Sequence, residues 1–67
     1  MTATMPIPVI ATHDIQQRSS PPIKAGTPGE ITDVGGASTV SYTVMFRPSE
    51  GETVTLRDLG RMDLREA

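Results

Sequence analysis

Residues 23–36 read IKAGTPGEITDVGG and are followed, after Ala37, by STVSYTVMF at 38–46; four of the chain's six glycines fall within the first fourteen of these residues. Glycine at that density serves either a phosphate cradle or the corners of a curled sheet. A phosphate-binding glycine loop needs a strand before it and a helix N-terminus after it, and the P-loop form adds Lys-Ser/Thr behind its last glycine. Here Gly26 and Gly29 lead into the β-prone EITDV, and no Lys-Ser/Thr follows. The glycines therefore read as architecture. Gly26 and Gly29 permit backbone conformations closed to β-branched neighbours and steer the chain into a curved strand beginning at Glu30. Ile31 and Val34 are its core candidates, and their spacing of three predicts a bulge, the usual device for bending a sheet.

Working outward, the clearest strand is TVSYTVMF at 39–46. Val40, Tyr42, Val44 and Phe46 alternate with Thr39, Ser41, Thr43 and Met45, so one face is apolar and the other largely polar. Gly35-Gly36 marks the turn before it, and RPSEGE (47–52), with Pro48 and Gly51, the turn after it. Val54 and Leu56 alternate again. Leu59, Met62 and Leu64 fit a single helical turn, expected at 57–60, and then a last strand; Gly60 argues against a longer helix at about 1 kcal/mol relative to alanine. Upstream, IPVIATHDI (7–15) is a short β-branched strand. Pro6 and Pro8 predict that it lies at a sheet edge or only begins a strand, because proline cannot donate to a ladder. QQRSSPPIKAG (16–26) is a long polar connection that Pro21 and Pro22 keep from being helical. The expected core is Ile10, Ile23, Ile31, Val34, Val40, Tyr42, Val44, Phe46, Val54, Leu56, Leu59 and Leu64. The fold class that follows is all-β: a five-stranded small barrel over residues 7–67, with one short helical turn before the last strand and a flexible N-terminus at 1–6.

Composition narrows the function. A 67-residue chain is one domain at most and buries only about 60% of the surface it exposes when unfolded. With no cysteine and a single histidine, His13, neither a disulfide nor a metal staple is expected, which leaves self-association or a larger assembly as the route to added stability. Six Lys/Arg against eight Asp/Glu speak against a nucleic-acid partner, which would need a basic face. Tyr42 and Phe46 are the only aromatics and fall on the apolar face, not where bases would stack. The N-terminus has no basic leader and no long apolar run, so a cytoplasmic protein without a membrane span is expected.

The run from Gly26 to Ile31, then Tyr42 to Phe46, Gly51, Val54 to Leu56 and Asp58-Leu59 resembles the SH3-like small barrels of short bacterial proteins. That resemblance covers about residues 23–65 and implies an accessory or docking module of a larger assembly. More distantly it is similar to the type II dihydrofolate reductases, barrels that assemble as tetramers around a pore binding folate and a nicotinamide cofactor. Their Val-Gln-Ile-Tyr pore signature aligns with Val54-Thr55-Leu56-Arg57, which has lost the amide and the phenol. A homo-oligomeric small-molecule binder without reductase activity is therefore the alternative reading.

The favoured expectation is a non-catalytic interaction module with no catalytic, cofactor or metal residues. His13 reads as an exposed loop residue, and the carboxylates as solvated turns (Glu50, Glu52) or loose pairs with arginines (Asp58 with Arg57 and Arg61, Asp63 with Arg65), each worth roughly 0–1 kcal/mol. Arg47, Arg57 and Arg61, at neighbouring strand ends, form the candidate anion- or carboxylate-recognising patch. Met45, a thioether on the Thr/Ser face, is a candidate contact with another subunit.

Overall fold

A computed structural model describes residues 6–49 and 51–67. Residues 1–5, where fraying was expected, and Glu50 lie outside them. Five antiparallel strands, β1 (Ile7–Ala11), β2 (Pro28–Gly35), β3 (Ser41–Phe46), β4 (Val54–Leu59) and β5 (Leu64–Glu66), form one sheet in the order β4-β3-β2-β1-β5, with a 3₁₀ turn at Arg61–Asp63 before the last strand. The chain is the all-β, five-stranded small fold that the alternation and the Gly/Pro turns predict.

The sheet bends where the apolar spacing changes from two to three. Ile31 pairs with Val44 and Asp33 with Thr43, so Thr32 is the extra residue of a β2 bulge, and Val34 returns to the inner face opposite Tyr42. A second irregularity was not foreseen. Val44 pairs with Leu56 and Tyr42 with Leu59, so Arg57 and Asp58 together oppose Thr43. Asp58 takes φ +60° there, a region that Asp tolerates better than most residues. This bulge keeps Leu56 and Leu59 on one face, both buried. It also moves the helical turn: residues 57–59 remain strand, and the turn falls at 61–63 instead of 57–60.

The core is Val9, Ala11, Ile15, Ile23, Ile31, Val44, Phe46, Leu56 and Leu59, with Ile7, Tyr42, Val54 and Leu64 packed against it. Three expected members, Val34, Val40 and Ile10, are not in it. Val34 is 41% and Val40 50% exposed, because β1 pairs with β2 only from Ile31 back to Pro28 and nothing described covers the far end of the β2–β3 hairpin. Ile10 is displaced by its neighbours: Ile7, Val9 and Ala11 occupy the inward parity of β1, and Ile10 the outward one.

Nor does β1 lie at an edge. It sits between β2 and β5. Pro8 is tolerated because its carbonyl, which accepts from the Ala67 amide at 3.3 Å, points toward β5; its missing N–H points the same way, past the last residue of that short strand.

The long connection contributes to the core. Ile15 and Ile23 exchange two backbone hydrogen bonds of 2.7 and 2.8 Å and are both buried, so the polar, proline-bearing segment between them is a loop tip over a fixed neck. Gly26 adopts φ +89° while its amide bonds to the Ala11 carbonyl at 2.8 Å, the left-handed conformation the sequence asked of it. Gly29 serves differently. It lies opposite Phe46 in the β2–β3 ladder, and an added Cβ would stand 2.9 Å from the Phe46 ring and 2.8 Å from the Met45 carbonyl oxygen.

Candidate functional site

Among the described residues, three surface depressions stand out. Two, of about 470 and 440 Å³, flank Pro22 and Pro48, where the β1–β2 loop meets the β3–β4 turn. Their walls are mostly proline, glycine and small hydroxyl residues, with Ile23, Ala25 and Val54 as further apolar members and Lys24 and Glu52 as the charged ones. The third, about 380 Å³, opens where the apolar inner face runs out, between β5 and the β2–β3 hairpin. Ile7, Val9, Ile31, Tyr42 and Leu64 form its apolar lining and Arg61, Arg65 and Glu66 its charged members. Ile7, Tyr42 and Leu64 are only part-buried there. An apolar floor bordered by arginines makes this third groove the candidate site, because apolar surface at a mouth gives a partner something to bury and a nearby cation fixes its orientation.

The three expected arginines do not share one setting. Arg47 follows β3, and its guanidinium donates to the Glu30 carboxylate at 2.9 Å; its charge is already met. Arg57 lies in the β4 bulge, and its carbonyl accepts from the Gln17 side-chain amide at 2.7 Å. Arg61 begins the 3₁₀ turn and lines the groove. Arg65, which the sequence offered only as a partner for Asp63, lines it as well. Among the described residues neither Arg61 nor Arg65 is in an ion pair. The loose pairing expected of Asp58 with Arg57 and Arg61 is not formed either.

Asp63 goes elsewhere and fixes the turn that carries Arg61. Its Oδ2 accepts from the Gly60 amide at 2.8 Å and its Oδ1 meets His13 Nε2 at 2.6 Å. Thr12 adds two bonds, its amide to the Asp63 carbonyl at 3.0 Å and its hydroxyl to the Met62 carbonyl at 2.6 Å. His13 is exposed, as expected, yet it is not idle: its other nitrogen, Nδ1, lies 2.8 Å from the Asp14 carbonyl oxygen. Both ring nitrogens face acceptors, so the imidazolium, which donates twice, suits this position better than either neutral tautomer.

The bond to the Asp14 carbonyl first, and then that to Asp63, raises the His13 pKa above 6.5. The Gly60 amide first, and then His13, lowers that of Asp63 below 3.8. The His13 contribution is therefore complete below about pH 6.5 and is lost as pH rises through the raised value. The Asp63 contribution is complete above about pH 3.8 and is lost as pH falls through the lowered one. Urea denaturation from pH 3 to 9 is expected to place the greatest stability of the wild type between these limits. In Asp63→Asn the fall above pH 6.5 is expected to flatten; an unchanged alkaline limb would remove the pair as its cause.

No protein-family model matches this chain, and comparisons with curated proteins and with solved structures likewise return no match. The functional reading therefore rests on the groove itself.

Proposed function

We propose that this chain is a non-catalytic protein-interaction module, a small barrel of SH3-like kinship serving as an accessory part of a larger bacterial assembly, and that the groove between β5 and the β2–β3 hairpin is where its partner docks. The observation that carries this reading is the coincidence in one groove of part-buried Ile7, Tyr42 and Leu64 with Arg61, which is exposed and in no ion pair among the described residues. Burial of the apolar members supplies affinity at about 25 cal/mol per Å² of apolar surface covered. A carboxylate on Arg61 supplies orientation through a charge-assisted hydrogen bond. Of the expected patch, this reading keeps Arg61 and sets aside Arg47, which Glu30 neutralises.

Selection of displayed peptides on the immobilised protein tests the proposal. Enriched sequences are expected to carry apolar residues and at least one acidic residue. Their affinity is expected to fall roughly tenfold or more in Arg61→Ala, since a hydrogen bond to a charged group contributes about 1.5–3 kcal/mol. Arg57→Ala is expected to leave it unchanged. Selection without enrichment, or enriched peptides that bind both variants equally, would overturn the groove as the docking site.

A further inference from the structure

The two edges of the sheet are treated differently. Along β4, Gln17 from the long loop bonds to the Arg57 carbonyl, and Ser20, Pro21 and Pro22 stand beside Thr53, Val54 and Thr55 around a shared depression. That edge is partly covered, in the way proteins protect exposed strands.

The β5 edge is not. Its ladder to β1 fixes which way each peptide group points. Thr12 bonds to the Asp63 carbonyl and Ala67 to the Pro8 carbonyl, and Arg65 pairs with Ile10 between them. In an antiparallel ladder alternate residues turn their N–H and C=O to the same side. Residues 63, 65 and 67 thus face β1, whereas Leu64 and Glu66 face outward. The Leu64 amide is taken by the Arg61 carbonyl. That leaves the Leu64 carbonyl and both backbone groups of Glu66 outward, without a backbone partner among the described residues.

This edge borders the candidate groove, which all three β5 residues line. Leu64 packs against the core, and Glu66 pairs with the inward Val9, so the side chains of these two share the groove face, whereas Arg65, which borders the groove along the strand edge, has the outward parity of its partner Ile10. From this geometry we propose that the partner docks by adding an extended strand to the outer edge of β5, with alternating apolar and acidic side chains: apolar ones opposite Leu64 and Glu66 enter the groove, and an acidic one between them meets Arg65. Charge selects the acidic pattern. Arg65 is exposed and unpaired among the described residues, opposite charges directly across a ladder attract, and like charges there destabilise. An acidic residue on the groove face would instead meet Glu66. Main-chain bonds would give such a site affinity and the alternate side chains its specificity. The inference rests on the interaction-module reading but specifies the manner of docking.

The probe is the capped peptide Thr-Glu-Val-Glu-Val-Glu-Thr, titrated into the ¹⁵N-labelled protein. Amide shifts are expected at Leu64 to Ala67 and at Ile7 and Val9, together with slowed solvent exchange of the Glu66 amide. Methylating alternate peptide nitrogens, in both registers, is expected to weaken binding at least tenfold in one register, because only one set of amides faces β5. Arg65→Glu is expected to weaken the acidic peptide and to strengthen binding of the peptide with lysine in place of its central glutamate. Equal affinity for both methylated peptides, a failure of the charge exchange, or no shifts at β5 at millimolar peptide would each overturn strand addition. Selected peptides that still depend on Arg61 would then leave the interaction-module reading standing, whereas their absence would remove both.

Discussion

Phe46→Ala is expected to unfold the chain at ordinary temperatures. The ring has no exposed surface and sits where three strands meet, opposite Gly29 on β2 and Val54 on β4. Truncating a buried phenylalanine costs about 3–5 kcal/mol in transfer and cavity terms together. A chain of this length has roughly 3–10 kcal/mol in all, at about 0.05–0.15 kcal/mol per residue. The loss is therefore comparable to the whole stability at the lower end of that range. Circular dichroism and the dispersion of the amide spectrum at 25 °C are the measurements. Phe46→Leu, which keeps most of the apolar volume, is expected to remain folded with a lowered melting temperature. A Phe46→Ala protein melting within a few degrees of the wild type would show that the core closes without this ring.

Gly29→Ala carries the second large effect, and for the opposite reason. The position has too little space, not too much. A methyl group there would lie 2.8 Å from the Met45 carbonyl oxygen, 2.9 Å from Phe46 Cδ1 and 3.1 Å from Phe46 Cα. Two of those three atoms are backbone, so a side-chain rotation cannot relieve the contact. Overpacking of a tight site costs about 1–3 kcal/mol, and each kcal/mol lowers the melting temperature of a domain this small by about 4–8 °C. Gly29→Ala with Phe46→Leu is expected to recover part of that loss, because the shorter side chain vacates the ring position. Strictly additive losses would mean that the ladder atoms alone set the limit.

The sequence could be read where the relevant interactions are local. Tyr42, Val44 and Phe46 alternate in a run whose neighbours are joined to it by short turns, so periodicity was enough. Ile31 and Val34, three apart, announced the β2 bulge. Leu56 and Leu59 carried the same signal for β4, but Gly60 and the following Arg-Met-Asp drew the helical turn toward them. Burial at the ends of strands was hidden. Val34 and Val40 have the same chemistry as Val44, but among the described residues no strand pairs with β2 beyond Ile31 to cover them. Gly26 and Gly29 are legible in the sequence as turn-making residues, yet the clash that Gly29 avoids depends on a ring seventeen residues away.

The candidate site was less legible for the same cause. Arg61 stood out with Arg47 and Arg57 as one of several cations near strand ends; its separation from them depends on the ion pair of Arg47 with Glu30 and on the route of the chain after β4. Arg65 and Leu64 acquire meaning only when β5 lies beside β1. His13 and Asp63, fifty positions apart, share no pattern that a window along the chain would detect.

The distance in sequence between β1 and β5 also bears on the order of assembly. The β2–β3 and β3–β4 pairs are hairpins that close through short turns, while among the described residues β5 has one strand partner, β1, more than fifty positions away in sequence. Closing a loop of some fifty residues costs about 2 kcal/mol more in chain entropy than closing one of six. The expected order is that the meander forms first, β1 then docks on β2, and β5 joins last, on a surface already built. The same ordering is expected to run backwards under stress, with three-residue β5 the first strand to peel away. A partner bound along β5 would hold in place the element that the fold itself secures least, and resistance of the C-terminal residues to proteases would report on occupancy as directly as on folding.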